Sequence, residues 1–140
     1  MKTKLNLFFV VILVLFLGAT NISADETNLF GRQKSISFKG ENQNWLVVHQ
    51  MYLVGTEIEY DTKIRYKGNN VKLKNLSSLH YSIGDKDGYL GGTFSLKNSN
   101  VFHSGRMECY GCKYLDKKEE ITFIIGEWED YEESLTLKRE

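Results

Sequence analysis

Cys109 and Cys112, separated by Tyr110 and Gly111, are the side chains whose type and spacing point most directly to chemistry. Two thiols set this way can close a disulfide, share a metal ion or exchange electrons. Dithiol exchange wants the first thiol at a helix N-terminus, where the dipole lowers its pKa, and no helical period follows Cys112. A zinc site wants further ligands; only His103 and Glu108 are near, and Glu108 alternates away from Cys109 on a strand. In an exported chain the spacing predicts a disulfide across a tight turn with Tyr110-Gly111 at its tip. A small extracellular redox or metal-binding protein built on this pair is the alternative.

Other candidates are weaker. Asp85-Lys86-Asp87-Gly88 has the start of a calcium loop but lacks the later carboxylate such loops need, so turn chemistry explains it. His49, His80 and His103 are scattered, and whether they converge with the cysteines depends on the fold. The chain has no Gly-x-Ser-x-Gly elbow, zinc-binding His-Glu-x-x-His or glycine-rich phosphate loop. Glu127, Glu129, Asp130, Glu132 and Glu133 contain pairs suited to glycoside cleavage, but a solvated turn accounts for the run. No catalytic residue, metal ligand or cofactor is assigned.

The elements that must position these residues read as strands. From Glu57 to Lys67 the chain alternates, with Ile58, Tyr60, Thr62, Ile64 and Tyr66 on one side and charged residues on the other, the pattern of a strand with one buried face. Gly55-Thr56 suits a two-residue type II′ turn. That turn pairs Val54 with Glu57, Leu53 with Ile58, Met51 with Tyr60, His49 with Thr62, Val47 with Ile64 and Trp45 with Tyr66. A slip of one residue would drive charges into the core. His49 is therefore expected on the apolar face, hydrogen-bonded to a neighbour.

Leu79, Tyr81 and Ile83, then Leu90, Gly92, Phe94 and Leu96, predict a second hairpin. Ser35 to Lys39, Val71 to Lys74, Val101 to Cys109, Ile121 to Ile125 and Leu135 to Leu137 add strands, with a turn over Glu127 to Glu132. Eight Tyr, eight Phe and two Trp with no Pro favour pleated sheet. The expectation is an all-β fold: an antiparallel β-sandwich or small barrel of about eight short strands.

Lys2 and Lys4, the apolar run Leu5 to Ala19 and small residues up to Ala24 describe a secretory signal peptide over 1–24, with cleavage near Ala24. The run is shorter than the roughly 20 residues of a membrane span, and no cysteine near the cut offers a lipid anchor. A flexible arm over 25–33 and a single β domain over 34–140 complete the expected organisation. Without Lys2 and Lys4, 16 basic face 18 acidic side chains, a net −2. That balance argues against a nucleic-acid binder and against purely electrostatic docking to lipid.

Four rings fall where the buried face cannot claim them: Tyr52 by the hairpin register, Tyr110 at the turn tip, and Trp128 and Tyr131 in the acidic turn. Exposed rings of this kind stack on sugars or anchor protein partners. Phe38-Lys39-Gly40-Glu41-Asn42-Gln43-Asn44-Trp45, followed by a long alternating hairpin, resembles small secreted or lipoprotein-type domains of Firmicutes. Those domains start with Gly-Glu-x-x-Asn-Trp and finish with an isoleucine-rich strand and an acidic turn, as Ile121 to Leu137 does. The resemblance implies a β-sandwich in the cell envelope and supplies no catalytic residues. The expected function is non-catalytic binding of a protein or polysaccharide of the envelope or extracellular space, with a secreted inhibitor or immunity-type protein as a further possibility.

Overall fold

A computed structural model of the chain describes residues 33–85, 88–127 and 131–140. The expected leader, the arm apart from Gln33, and Trp128 lie outside the described residues. Among the described residues nine strands form: β1 (Lys34–Glu41), β2 (Trp45–Val54), β3 (Glu57–Tyr66), β4 (Leu79–Asp85), β5 (Gly88–Phe94), β6 (Val101–His103), β7 (Met107–Glu108), β8 (Glu120–Glu127) and β9 (Tyr131–Arg139), with one short helix, α1 (Val71–Asn75), after β3. All pair antiparallel in one sheet of order β5-β4-β8-β9-β1-β2-β3-β6, and β7 adds to β3 beyond β6. The sheet curls into a nearly closed barrel rather than splitting into two layers. No helix among the described residues is long and apolar enough to cross a membrane.

The β2–β3 register is the one the turn dictates, from Val54 opposite Glu57 to Trp45 opposite Tyr66. Gly55 takes the positive φ, 64°, that the first position of a type II′ turn requires. The second hairpin also forms, with Leu79 opposite Phe94 and Ile83 opposite Leu90. Every second residue of the long strands points inward, so Phe38, Trp45, Val47, Ile64, Leu79, Phe123, Ile125 and Leu137 are wholly buried. Burying each such large side chain stabilises the fold by about 1.5–3 kcal/mol before entropy is counted.

The barrel closes without a ladder at one seam. Among the described residues β5 and β6 share no strand pairing, but Phe94 and Phe102 pack with ring centroids 5.2 Å apart. Tyr81 joins them, 6.1 Å from Phe94 and 6.0 Å from Phe102.

Three local expectations are corrected. Val71 to Lys74 is helical, not extended: the Asn70 side chain accepts from the Lys72 N–H at 2.9 Å and caps the turn. Val101 to Cys109 is two short strands, not one. The Thr62 N–H donates to the Ser104 hydroxyl at 2.9 Å, and Gly105, at φ 70°, turns the chain between them. The acidic turn is tighter than Glu127 to Glu132, because Glu127 pairs with Tyr131 and Gly126 with Glu132.

The Gly40-to-Trp45 segment has a structural explanation. A Cβ on Gly40 would lie 2.5 Å from the Thr136 carbonyl oxygen and 2.7 Å from Leu137 Cδ2, so β1 can cross β9 this closely only as glycine. Asn42 then folds back and accepts from the N–H groups of Asn44 and Trp45 at 2.9 and 2.7 Å. This Asx turn sends Trp45 into the core.

Candidate functional site

Outward residues of β2, β3 and β7 meet on one face near the β2–β3 turn. Tyr52 lies opposite Glu59, and Glu59 lies opposite Glu108. The Arg106 guanidinium stacks 4.1 Å from the Tyr52 ring centroid while its Nε donates to Glu59. Glu108 accepts from the Tyr110 hydroxyl at 2.6 Å. Two tyrosines therefore bracket an arginine and two carboxylates on one surface. Further along β3, His103 Nε2 lies 2.7 Å from an Asp61 carboxylate oxygen.

Tyr110 is 90% exposed, the most exposed large apolar side chain described. Cys109 and Cys112 sit at disulfide distance, with Cα atoms 5.6 Å apart, and Gly111 between them takes a φ of 83°. The Cys109 N–H donates to the Ile58 carbonyl at 2.8 Å, tying the small ring to β3. Glu108 holds the Tyr110 hydroxyl, and that bond pushes the phenol pKa up. Because the ring closes over so few residues, reduction is expected to cost no more than about 2 kcal/mol in unfolding free energy. Chemical denaturation with and without reductant measures it, and a loss twice as large would show that the pair organises more than its own turn.

Tyr52 and Tyr131 are both half-buried. Tyr131 stands in β9, where its hydroxyl accepts from the buried Trp45 Nε1–H at 2.9 Å and donates to Glu133. Glu133 also accepts from Asn42 Nδ2 at 2.8 Å and Asn44 Nδ2 at 2.7 Å. Burial works to raise the Glu133 carboxyl, but the donors from Tyr131, Asn44, Asn42 and Trp45 prevail and hold its pKa below the usual value. Burial, then the carboxylate beside it, pushes the Tyr131 phenol upward. This knot joins the β1–β2 turn to β9. The acidic run was read as a solvated turn, yet Glu133 is an anchored hydrogen-bond acceptor.

Inside the barrel, His49 Nδ1 and Thr62 Oγ1 lie 2.9 Å apart and both residues are buried. Desolvation lowers the imidazole pKa to about 4, against the pull of the Asp61 charge. Burial also raises the Tyr81 phenol to about 12, with Tyr60 adding to the shift and a bond to Thr62 opposing it. His49 faces inward and His103 outward. Among the described residues no group of three or more His, Cys, Asp or Glu side chains is placed to hold a metal ion.

A shallow groove of about 360 Å³ runs over Lys117, Lys118, Glu119, Glu120, Thr122 and Thr136, away from the tyrosine face. None of the candidate site residues, Cys109, Cys112, Tyr52, Tyr110 or Tyr131, lines it. Signals for the tyrosine face were partly present in the sequence: Tyr52, Glu59 and Asp61 follow from alternation. Arg106 did not, because its position depends on the late strand β7 joining β3.

Fold and surface together define a small antiparallel barrel-like domain with an aromatic and charged outer face. No family model, curated protein or solved structure matches the chain.

Proposed function

We propose that the chain is an exported, non-catalytic binding protein of the cell envelope or extracellular space, and that its tyrosine face docks a protein. The observation that carries this reading is the Tyr110 ring, 90% exposed and held on a turn pinned by the Cys109–Cys112 pair. A ring presented this way loses little freedom on binding. Tyr52 and Arg106 on the same face supply the residue types that dominate protein–protein affinity. Glu59, Glu108 and Arg106 give the surface both signs of charge, which favours a chosen orientation of the partner.

The test places a photo-crosslinking amino acid at position 110 and, as a control, at exposed Glu119 in the groove. Irradiation of cultures making the protein is expected to join one defined polypeptide at position 110 and none at 119, with Arg106→Ser reducing the yield several-fold. Equal adducts at both positions would remove the reading. Co-sedimentation with purified cell-wall polysaccharide, lost in Tyr110→Ser, would replace the protein partner with a glycan.

A further inference from the structure

Phe94 and Phe102 fill one end of the seam between β5 and β6. Beyond them, toward the β2–β3 turn, inward-facing residues are left open to solvent. Gly92 faces the interior opposite buried Tyr81, and Met107 faces it opposite buried Tyr60. Both are exposed all the same, Met107 at 46%. Leu90 and Ile58, also turned inward, are only half-buried. The register gives a reason: Ile64 faces Phe102 and Tyr60 faces Met107, four steps along β3 against five along its partner. The extra residue, at Ser104-Gly105, is a β-bulge, and a bulge bends its strand and sharpens the local twist.

Two strand edges frame this notch. Among the described residues β5 pairs only with β4 and β7 only with β3, so each has backbone N–H and C=O groups without a strand partner on its other side. Sheet edges ordinarily keep other strands off with charged side chains or proline. β5, Gly88–Phe94, contains neither, and its Gly91, Gly92 and Thr93 are exposed. The floor between the edges is aromatic and aliphatic. A Cβ on Gly92 would lie 3.2 Å from Tyr81 Cε1, and the Tyr60 hydroxyl donates to Met107 Sδ at 3.7 Å.

We infer that an extended segment of the protein partner adds to β5 as a further strand and sets an apolar side chain between Gly92 and Met107. Another extended backbone is what satisfies a strand edge, and it supplies affinity through main-chain hydrogen bonds. Side chains of the added strand alternate between faces, so those turned inward meet the apolar floor. Gly92 leaves the space that such a side chain fills. β7 gives Met107 to the notch and Glu108 to the tyrosine face, so the two surfaces are continuous. The inference rests on the docking reading only in taking the partner to be a protein.

The probe is a random peptide library displayed on phage and selected on the purified wild-type protein, the selected peptides then being synthesised. Bound peptide is expected to slow hydrogen exchange in the Gly91-Gly92-Thr93 stretch. Methylating alternate peptide nitrogens is expected to abolish binding in one phase and spare it in the other, because only every second N–H of an added strand faces the edge. Met107→Lys puts a charge against the inserted side chain and is expected to weaken binding at least about tenfold. Glu119→Lys, in the distant groove, is expected to stay within about twofold. Both side chains are exposed, and circular dichroism verifies each fold. Peptides that lose affinity with Tyr110→Ser yet leave β5 unprotected would overturn the strand addition while the docking reading stands. Slowed exchange in β5 without any adduct at position 110 would support the strand addition and remove the tyrosine face as the docking surface. Failure to select a peptide would overturn the inference. So would a concentration-dependent dimer protecting the same stretch, since the edge would then belong to a second copy of this chain.

Discussion

Between pH 7 and pH 4 the domain is expected to lose about 3 kcal/mol of unfolding free energy, and His49→Asn is expected to remove most of that dependence. The cause is the burial that lowers the His49 pKa from 6.5 to about 4. Above pH 6.5 the imidazole is neutral in folded and unfolded chains alike, and no penalty exists. As pH falls from there towards 4, the unfolded chain takes up a proton that the folded one refuses, so stability declines. Below the folded pKa both states are protonated and this contribution levels off. The lowered Glu133 carboxyl acts in the same direction, but below its ordinary value of 4.5, so the two windows scarcely overlap. Asparagine places a polar atom near the position of Nδ1 and preserves a partner for Thr62, at a cost of about 1–2 kcal/mol at neutral pH for the space left. Urea unfolding followed by tryptophan fluorescence at half-unit pH steps measures both proteins. A flat wild-type profile, or an equally sloped variant, would remove His49 as the cause.

Glu133→Ala is expected to destabilise the fold by about 3 kcal/mol, an effect unusual for a residue that water partly reaches. The carboxylate receives the amides of Asn42 and Asn44 and the hydroxyl of Tyr131, which in turn accepts from the indole of Trp45. Removing it strands several donors at once, and hydrogen bonds to a charged group contribute more than neutral ones. Tyr131→Phe deletes one link and is expected to cost about 1–1.5 kcal/mol. Glu132→Ala, next door and exposed, is expected to stay within about 0.5 kcal/mol of the wild type. Thermal and urea unfolding of the three variants rank them. A Glu133 variant no worse than the Glu132 one would mean that solvent replaces the carboxylate at no cost.

What could be read ahead of the structure was whatever local rules decide. Gly55-Thr56 and the alternation from Glu57 to Lys67 are independent signals, and both name the same β2–β3 pairing. His49 was legible for the same reason, since a register assigns each side chain a face. Val71 to Lys74 misled because V-K-L-K alternates as a strand does, whereas the deciding feature was the Asn70 cap one residue upstream. The Glu133 knot was not legible. Its donors lie about ninety positions away, and Asn42 and Asn44 read simply as turn residues. Tyr131 was placed in a turn because the length of β9 depends on its pairing with β8. Tyr52 was placed outward, but the guanidinium that covers it arrives from Arg106, just ahead of β7.

The strand order carries a kinetic consequence. Four strands, β1-β2-β3-β6, form one curved half and β9-β8-β4-β5 the other, and the ladder between them runs through Phe38 opposite Arg139 and Lys39 opposite Lys138. Residues a hundred positions apart must find each other before the halves can join, and such distant encounters slow folding far more than hairpin growth does. Until the halves join, β1 and β9 each leave a row of amides open to a neighbouring molecule. The slowest step of assembly is thus also the moment at which this chain is most exposed to clumping.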